Sequence, residues 1–130
     1  MNTKLQQYLQ RAEQQVISAE RAARLAELIS YLKASSPNRL HFICTHNSRR
    51  SQLAQAWAKI AAHQFRVPLE SFSGGVEVTA CNPRTVAALQ RVGVEIEATD
   101  EGDNPVYHLK LGEETLSLFS KLYDHPSNPR

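Results

Sequence analysis

The chain has 130 residues, of which 42% are hydrophobic and 22% are charged, and its formal net charge is +2 at pH 7. This length suffices for one domain with a modest core, and the composition is that of an ordinary globular protein rather than a disordered chain. The small net charge and the lack of a dense lysine or arginine cluster argue against a nucleic-acid partner. No apolar run reaches membrane-spanning length, so we expect no membrane partner either.

The two cysteines, Cys44 and Cys81, cannot make a disulfide framework. A zinc site built from them with His41 and His46 lacks ligand spacing, so we expect no metal and no other cofactor. The N-terminus has no apolar signal-peptide region, which predicts a reduced, cytoplasmic protein with free thiols. Cys81 is then either a small buried thiol, the better-supported alternative, or the partner of Cys44 in a protective disulfide.

The first 38 residues predict a pair of helices. A helix from residue 3 to about 17 has one apolar face, formed by Leu5, Leu9, Ala12 and Val16. Ser18 is suited to cap a second helix, which the Ser-Ser-Pro-Asn cluster at 35–38 ends. The apolar face of this second helix contains Ala22, Leu25, Leu28, Ile29 and Leu32. We predict an N-terminal helical arm at residues 1–38, which is a packing lid or an oligomerisation arm, and an α/β domain at residues 39–130.

The α/β domain begins with the predicted order strand, helix, strand, helix. An apolar run at 40–43 precedes Cys44, and a helix extends from Gln52 to about Phe65. A second strand covers 69–73, and Asn82 with the following proline starts another helix. This order favours a parallel sheet with right-handed crossovers, in which ligands bind at the carboxyl ends of the strands. Cys44 lies at such an end.

The last third of the chain predicts a different kind of structure. Residues 94–97 suggest a brief strand, and 99–104 an acidic loop. Two apolar runs, 106–111 and 116–123, flank a Gly-Glu-Glu-Thr segment and predict a β-hairpin. Residues 124–130 follow as a loop.

The pattern C-x5-R-S, from Cys44 to Ser51, indicates chemistry. A loop of this length can curl so that its amide N–H groups surround one anion. Thiols attack as thiolates, and the loop amides, the helix N-terminus, Arg50 and the Ser51 hydroxyl can all lower the pKa of the Cys44 thiol. The planar fork of Arg50 can bind two oxygens at once. We predict a phosphate-binding loop that also contains Thr45, His46, Asn47, Ser48 and Arg49.

The run from Cys44 to Ala58 (CTHNSRRSQLAQAWA) resembles the phosphate loop and first helix of the low-molecular-weight protein tyrosine phosphatase superfamily, particularly its thioredoxin-coupled arsenate reductase branch. The FSGG run at 72–75, followed by Asn82-Pro-Arg, is similar to that family's second strand and second helix start. The resemblance covers about residues 39–98. It implies a flavodoxin-like, doubly wound sheet, with Cys44 as nucleophile, Arg50 as phosphate clamp, and Asn47 and Ser51 as supports.

The departures from this family concern the remaining catalytic parts. Arsenate reductases of this branch usually have a second loop cysteine where this chain has Arg49, and their later redox pair has no counterpart here. The phosphatases use an Asp-Pro general acid on a later loop, for which Asp124, followed by His125-Pro126, is the candidate. No third apolar parallel strand precedes Asp124. The resemblance therefore implies a sheet that is incomplete at its C-terminal side, with an open edge that can pair with another chain, including a second copy of this one.

The leading prediction is hydrolysis of phosphomonoesters, of the phosphotyrosine type, through a phosphocysteine intermediate at Cys44. Arsenate reduction with external thiols is an alternative, and a catalytically weak oxyanion-binding or interaction module is another. The expected ligands are phosphate, arsenate or a similar oxyanion, and a phosphorylated small molecule or protein.

Overall fold

The structure is a computed structural model that describes residues 2–34, 38–98 and 102–129. Its elements are, in chain order, helices α1 (Thr3–Glu13) and α2 (Ala19–Ala34), strand β1 (Arg39–Cys44), helix α3 (Arg50–Phe65), strand β2 (Glu70–Gly75), helix α4 (Pro83–Arg91), and strands β3 (Glu95–Ala98), β4 (Tyr107–Leu111) and β5 (Glu114–Leu118). No helix in these ranges is long and apolar enough to cross a membrane.

Strands β1 and β2 form a parallel pair, in register from Arg39 beside Glu70 to Cys44 beside Gly75. Helix α3 connects them and packs on one face of the pair. The Gln55 side chain donates to the Ser71 carbonyl at 3.0 Å, and the Ser71 hydroxyl donates back to the Gln55 carbonyl at 3.0 Å. The predicted order of strand, helix, strand and helix is confirmed, and both strands end at the same edge, as a parallel sheet requires.

The C-terminal strands form a separate antiparallel sheet in the order β3-β4-β5. The hairpin is confirmed, but its predicted bounds are wrong: only Gly112 and Glu113 lie between the strands, and β5 ends at Leu118 rather than at residue 123. The positive φ of Gly112, +59°, permits this two-residue turn. Part of the predicted acidic loop, residues 99–101, lies outside the described residues.

Beyond β5 the chain runs alongside β2. The Gly75 N–H donates to the Lys121 carbonyl and the Tyr123 N–H donates to the Gly75 carbonyl, both at 2.9 Å. This contact is a single parallel bridge between Gly75 and Leu122. It explains why the second hairpin strand stops early, since residues 121–123 pair with the parallel sheet instead of continuing along β4.

Helix α1 ends at Glu13, so the predicted helix to residue 17 is too long. The Asn2 side chain caps its start by accepting from the Leu5 N–H at 2.9 Å, and it donates to the Gly93 carbonyl. The predicted inner face is only partly confirmed, since Leu5 and Leu9 are buried while Val16 is 97% exposed.

Helix α2 has the predicted cap, since the Arg21 N–H donates to the Ser18 hydroxyl at 3.2 Å. None of its residues is buried. Leu25 and Ile29 remain 37% and 48% exposed. The three residues predicted to end it, 35–37, lie outside the described residues. The role of this helix as a lid or an oligomerisation arm stays a prediction.

The hydrophobic core lies between the helices and the antiparallel sheet. Its buried members are Leu5, Leu9, Ala56, Ile60, Cys81, Val86, Leu89, Val94, Ile96, Leu109, Leu111 and Leu118. Helices α1, α3 and α4 all contribute, so α1 shares its core with the α/β part of the chain. Whether residues 1–38 form a unit separate from 39–130 stays a prediction.

The two N-terminal helices can be compared by truncating one leucine in each. Leu5→Ala should lower the free energy of unfolding by about 3 kcal/mol, because Leu5 is 2% exposed and its loss leaves a cavity. Leu25→Ala is the control and should cost well under about 1 kcal/mol, since Leu25 is 37% exposed. Urea unfolding measures both; equal losses would contradict the conclusion that, of the two N-terminal helices, only α1 packs in the core.

Candidate functional site

Cys44 ends β1, and Ser51 lies in the first turn of α3, so the two ends of the C-x5-R-S loop meet. The Sγ of Cys44 lies 3.0 Å from the Oγ of Ser51. Ser51 is 3% exposed, whereas Cys44 is only half-buried. The thiol is therefore accessible from outside while its hydrogen-bonding partner is held inside the protein.

The pKa of the Cys44 thiol lies below its ordinary value. Partial burial acts to raise it, but the Ser51 hydroxyl and the backbone N–H groups of Ser51, Asn47 and Ser48 all direct hydrogen bonds at the sulfur and outweigh that effect. These donors stabilise the negative charge of the thiolate. A nucleophilic cysteine requires this kind of environment.

Asn47 holds the centre of the loop. Its backbone is left-handed, with a φ of +48°, a conformation that asparagine tolerates better than most residues. Its side chain is completely buried, and its amide donates to the Ser51 Oγ at 2.7 Å. The amide oxygen accepts from the Gln52 side chain and from the Lys121 N–H, both at 3.0 Å. The Asn47 side chain thus connects the serine below the sulfur to the body of the protein.

The carbonyl groups of the loop are bound by groups outside it. The Thr45 carbonyl accepts from the N–H groups of Val76 and Glu77, at 2.9 and 3.0 Å. The Ser48 carbonyl accepts from the Asn82 N–H at 3.0 Å and from the Thr85 hydroxyl at 3.1 Å. Because these carbonyl groups are bound by the surrounding chain, the loop backbone is fixed at Thr45 and at Ser48.

Gly75 allows the loop to approach the end of β2. A Cβ atom at this position would lie 2.7 Å from the Thr45 carbonyl oxygen and 2.9 Å from the Asn47 nitrogen. Both distances are shorter than a carbon atom tolerates, so only glycine fits without displacing the loop backbone.

Two depressions meet at Cys44. One is polar and includes Arg49, Arg50 and His46. The other is more apolar and includes Phe42, Ile43, Ala54 and Val76 beside Cys44 and Arg50.

Arg49 and Arg50 are both exposed. His46 is exposed as well, and its Nε2 lies 3.1 Å from the Glu77 carboxylate. Arg49 and Arg50 thus line the polar depression together with Cys44.

The structure brings most, but not all, of the predicted site residues together. Residues 44–51 form one continuous loop around the thiol. Asp124, the candidate general acid, is exposed and lies in another depression, which it shares with Phe119, Lys121 and His125 and which contains no residue of the loop. Its role as general acid stays a proposal.

Cys81 is 1% exposed, which confirms the prediction of a small buried thiol. Burial raises its pKa to about 11. Among the described residues, both cysteines are free and no group of three or more His, Cys, Asp or Glu side chains is arranged to hold a metal ion.

Sequence reasoning missed Gln52, Ser120 and Lys121, all of which are at most 4% exposed. The Lys121 Nζ donates to the Ser73 Oγ at 3.1 Å and to the Phe119 carbonyl at 3.2 Å. Burial lowers the pKa of this lysine to about 8, against an opposing effect of Cys81. Nothing in the local sequence distinguishes these residues from surface ones, because they become buried only when residues 119–121 reach the loop.

Comparison with known proteins found similarity over part of the chain. No family model matches it. No solved structure matches it. Over 58 residues, which are 44% of this chain and 41% of the relative, it is 43% identical to an arsenate reductase of Staphylococcus aureus (strain bovine RF122 / ET3-1). Over the same length it is 41% identical to arsenate reductase 2 of Staphylococcus haemolyticus and of Staphylococcus epidermidis.

The chain thus covers about two-fifths of the length of the curated relatives it matches, 41% in each case. The resemblance to arsenate reductases of the low-molecular-weight phosphatase type is confirmed as a partial similarity.

The serine hydroxyl beside the sulfur can be tested directly. Ser51→Ala should raise the pKa of the Cys44 thiol and slow its alkylation at pH 7 several-fold, because a hydrogen bond to a charged group contributes about 1.5 kcal/mol or more. The rate at which iodoacetamide alkylates the Cys44 peptide, followed by mass spectrometry across pH, reports this pKa. Ser117→Ala, at an exposed serine of β5, should leave it unchanged. If the alkylation rate of Ser51→Ala has the same pH dependence as that of the wild type, the Ser51 hydroxyl is not a donor to the Cys44 sulfur.

The buried lysine predicts a rise of stability with pH. The folded-state pKa of Lys121, about 8, lies below the ordinary 10.5, so the unfolded chain binds more protons in this range and the free energy of unfolding rises with pH. From pH 7 to pH 9 the wild type should gain roughly 1 kcal/mol over Lys121→Met. Lys110→Met, at an exposed lysine, should follow the wild type. Urea unfolding at three pH values measures the difference, and parallel curves for Lys121→Met would contradict it.

Proposed function

We propose that the Cys44 loop binds an oxyanion and that this chain reduces arsenate with the help of external thiols. The observation that supports it is the lowered pKa of an accessible Cys44 thiol whose sulfur lies 3.0 Å from the Ser51 hydroxyl. The partial similarity to staphylococcal arsenate reductases favours arsenate over a phosphate ester as the substrate.

In this proposal each loop residue has a role. Arg50 binds two oxygens of the anion, and the amides of residues 45–50 bind the others. Ser51 and Asn47 support the thiolate. Arg49 and His46 add positive and polar groups at the rim. The parallel pair of β1 and β2 belongs, on this proposal, to a flavodoxin-like sheet.

The chemistry needs two external thiols. The Cys44 thiolate attacks As(V) and expels one oxygen as water, which forms a Cys44 S–As bond. A first external thiol attacks the Cys44 sulfur; a mixed disulfide forms, and the electron pair of the S–As bond leaves with arsenic as arsenite, As(III). A second external thiol attacks the mixed disulfide and releases Cys44. The sum is arsenate plus two thiols giving arsenite, one disulfide and water.

The chain's own cysteines do not complete this cycle. Position 49 is an arginine, and Cys81 is 1% exposed with a pKa of about 11. A buried thiol that stays protonated at neutral pH is a poor nucleophile toward a bound intermediate. The electrons are therefore assigned to a reductant such as glutathione or thioredoxin.

Phosphomonoester hydrolysis is a second candidate, and the single accessible thiol favours it, because hydrolysis through a phosphocysteine requires no second cysteine. Its weakness is the position of the candidate proton donor. Asp124 does not share a depression with Cys44. General acid catalysis contributes roughly 10²–10⁴-fold, so hydrolysis without it would be slow.

The experiment compares the two reactions on the same protein. Arsenite formation is measured with glutathione or with the thioredoxin system, and phosphate release is measured from an aryl phosphate. We expect arsenite formation that depends on an external thiol, that is lost in Cys44→Ser and that persists in Cys81→Ser. Turnover of the aryl phosphate alone would instead favour the hydrolase.

Oxyanion binding without turnover is a separate result. If phosphate or arsenate protects Cys44 from alkylation while neither reaction proceeds, the chain acts as the oxyanion-binding module, and the reductase proposal fails.

A further inference from the structure

A short segment after β5, Phe119–Lys121, lies against the back of the Cys44 loop. The Ser120 hydroxyl donates to the His46 carbonyl at 2.8 Å, and the Lys121 N–H donates to the Asn47 amide oxygen at 3.0 Å. These contacts join residues 74 positions apart in the chain. The segment therefore holds the loop from a part of the protein that the local sequence of the loop does not include.

Gln52 joins the segment to the loop from the other side. Its side-chain Nε2 is within 3.0 Å of the Asn47 carbonyl and the Asn47 amide oxygen, and within 2.8 Å of the Phe119 carbonyl. The residue is completely buried. Its own amide oxygen is also buried and has no hydrogen-bond partner in the described part of the chain. The hydrogen bonds of the Gln52 side chain in the described part of the chain are therefore all made by its Nε2, to Asn47 and Phe119.

The segment is itself fixed in place. The Asn104 side chain donates to the Ser120 carbonyl at 2.9 Å and accepts from the Ser120 N–H at 3.1 Å. The Lys121 carbonyl accepts from the Gly75 N–H at the end of β2. The Ser120 hydroxyl also accepts from the Thr79 N–H at 2.9 Å. Because the segment is held by these hydrogen bonds, it can in turn hold the His46 carbonyl and the Asn47 side chain in place.

We propose that Gln52 and Ser120 are positioning residues for the Cys44 loop: they hold Asn47 in its left-handed conformation, and through Asn47 they keep the Ser51 hydroxyl on the sulfur. The path is continuous, from Phe119–Lys121 to the Asn47 side chain, then to Ser51 at 2.7 Å and to Cys44 at 3.0 Å. Neither residue touches the sulfur. Only one of its tests, the protection of Cys44 by phosphate, rests on the proposed function; the alkylation rates do not.

The first test uses two buried glutamines on the same helix. Gln52→Met removes the contacts to the loop, whereas Gln55→Met, one turn further along α3, removes contacts of similar burial to Ser71 and Ser73 on β2. Gln52→Met should slow alkylation of Cys44 by iodoacetamide at pH 7 roughly threefold or more, through a higher thiol pKa. It should also weaken protection by inorganic phosphate. Gln55→Met should match the wild type in both measurements.

The second test uses Ser120 and applies even where Gln52→Met does not fold. Ser120→Ala should slow alkylation and weaken phosphate protection in the same way, and Ser120→Thr, which keeps a hydroxyl, should restore both. The proposal is overturned when Gln55→Met changes the thiol as much as Gln52→Met, or when Ser120→Ala has the wild-type pH profile. Because alkylation needs no turnover, a chain that reduces no arsenate still gives a decisive result.

Discussion

The hydrogen bonds around Asn47 are the constraint on which the rest of the site depends. Its left-handed backbone turns the loop, and its amide group joins the start of α3, at Ser51 and Gln52, to Lys121, which is 74 residues further along the chain. A loop of small polar residues has no core of its own, so its shape has to come from such contacts. With Asn47 fixed, the N–H groups of three neighbouring residues converge on the sulfur of Cys44. The pKa of an accessible thiol is thereby lowered.

The two cysteines show how the surroundings of a thiol determine its pKa. Burial disfavours the thiolate at both, but at Cys44 the hydrogen bonds exceed that effect, whereas at Cys81 the opposing charge of Lys121 does not. Cys81 lies in the core among apolar side chains. Reactivity is thus determined by the donors that the loop and the helix start supply, and the residue type alone does not predict it.

The elements with strong local signals were predictable. The cap at Asn82 is confirmed, because the Arg84 N–H donates to its side chain at 2.8 Å, and helix α3 ends at Phe65 as expected. The errors fall where tertiary contacts override local pattern. Val16 fits the helical period of α1 but has no core to reach, and residues 119–123 read as strand but leave the hairpin to meet β2. The spacing of apolar residues predicts which face of an element is apolar, but it does not predict which part of the protein packs against that face.

The sequence by itself determined the chemistry of the loop: a cysteine, an arginine and a serine at fixed spacing between a strand and a helix, with an asparagine that accepts a left-handed backbone. Only the tertiary structure decided what holds that loop. Gln52 and Ser120 hold it through hydrogen bonds of 2.8 to 3.0 Å to Asn47 and His46, and Gly75 leaves the space that the loop backbone occupies. The spacing of neighbouring residues can be read from the sequence, whereas a contact between residues distant in the sequence forms only when the chain folds.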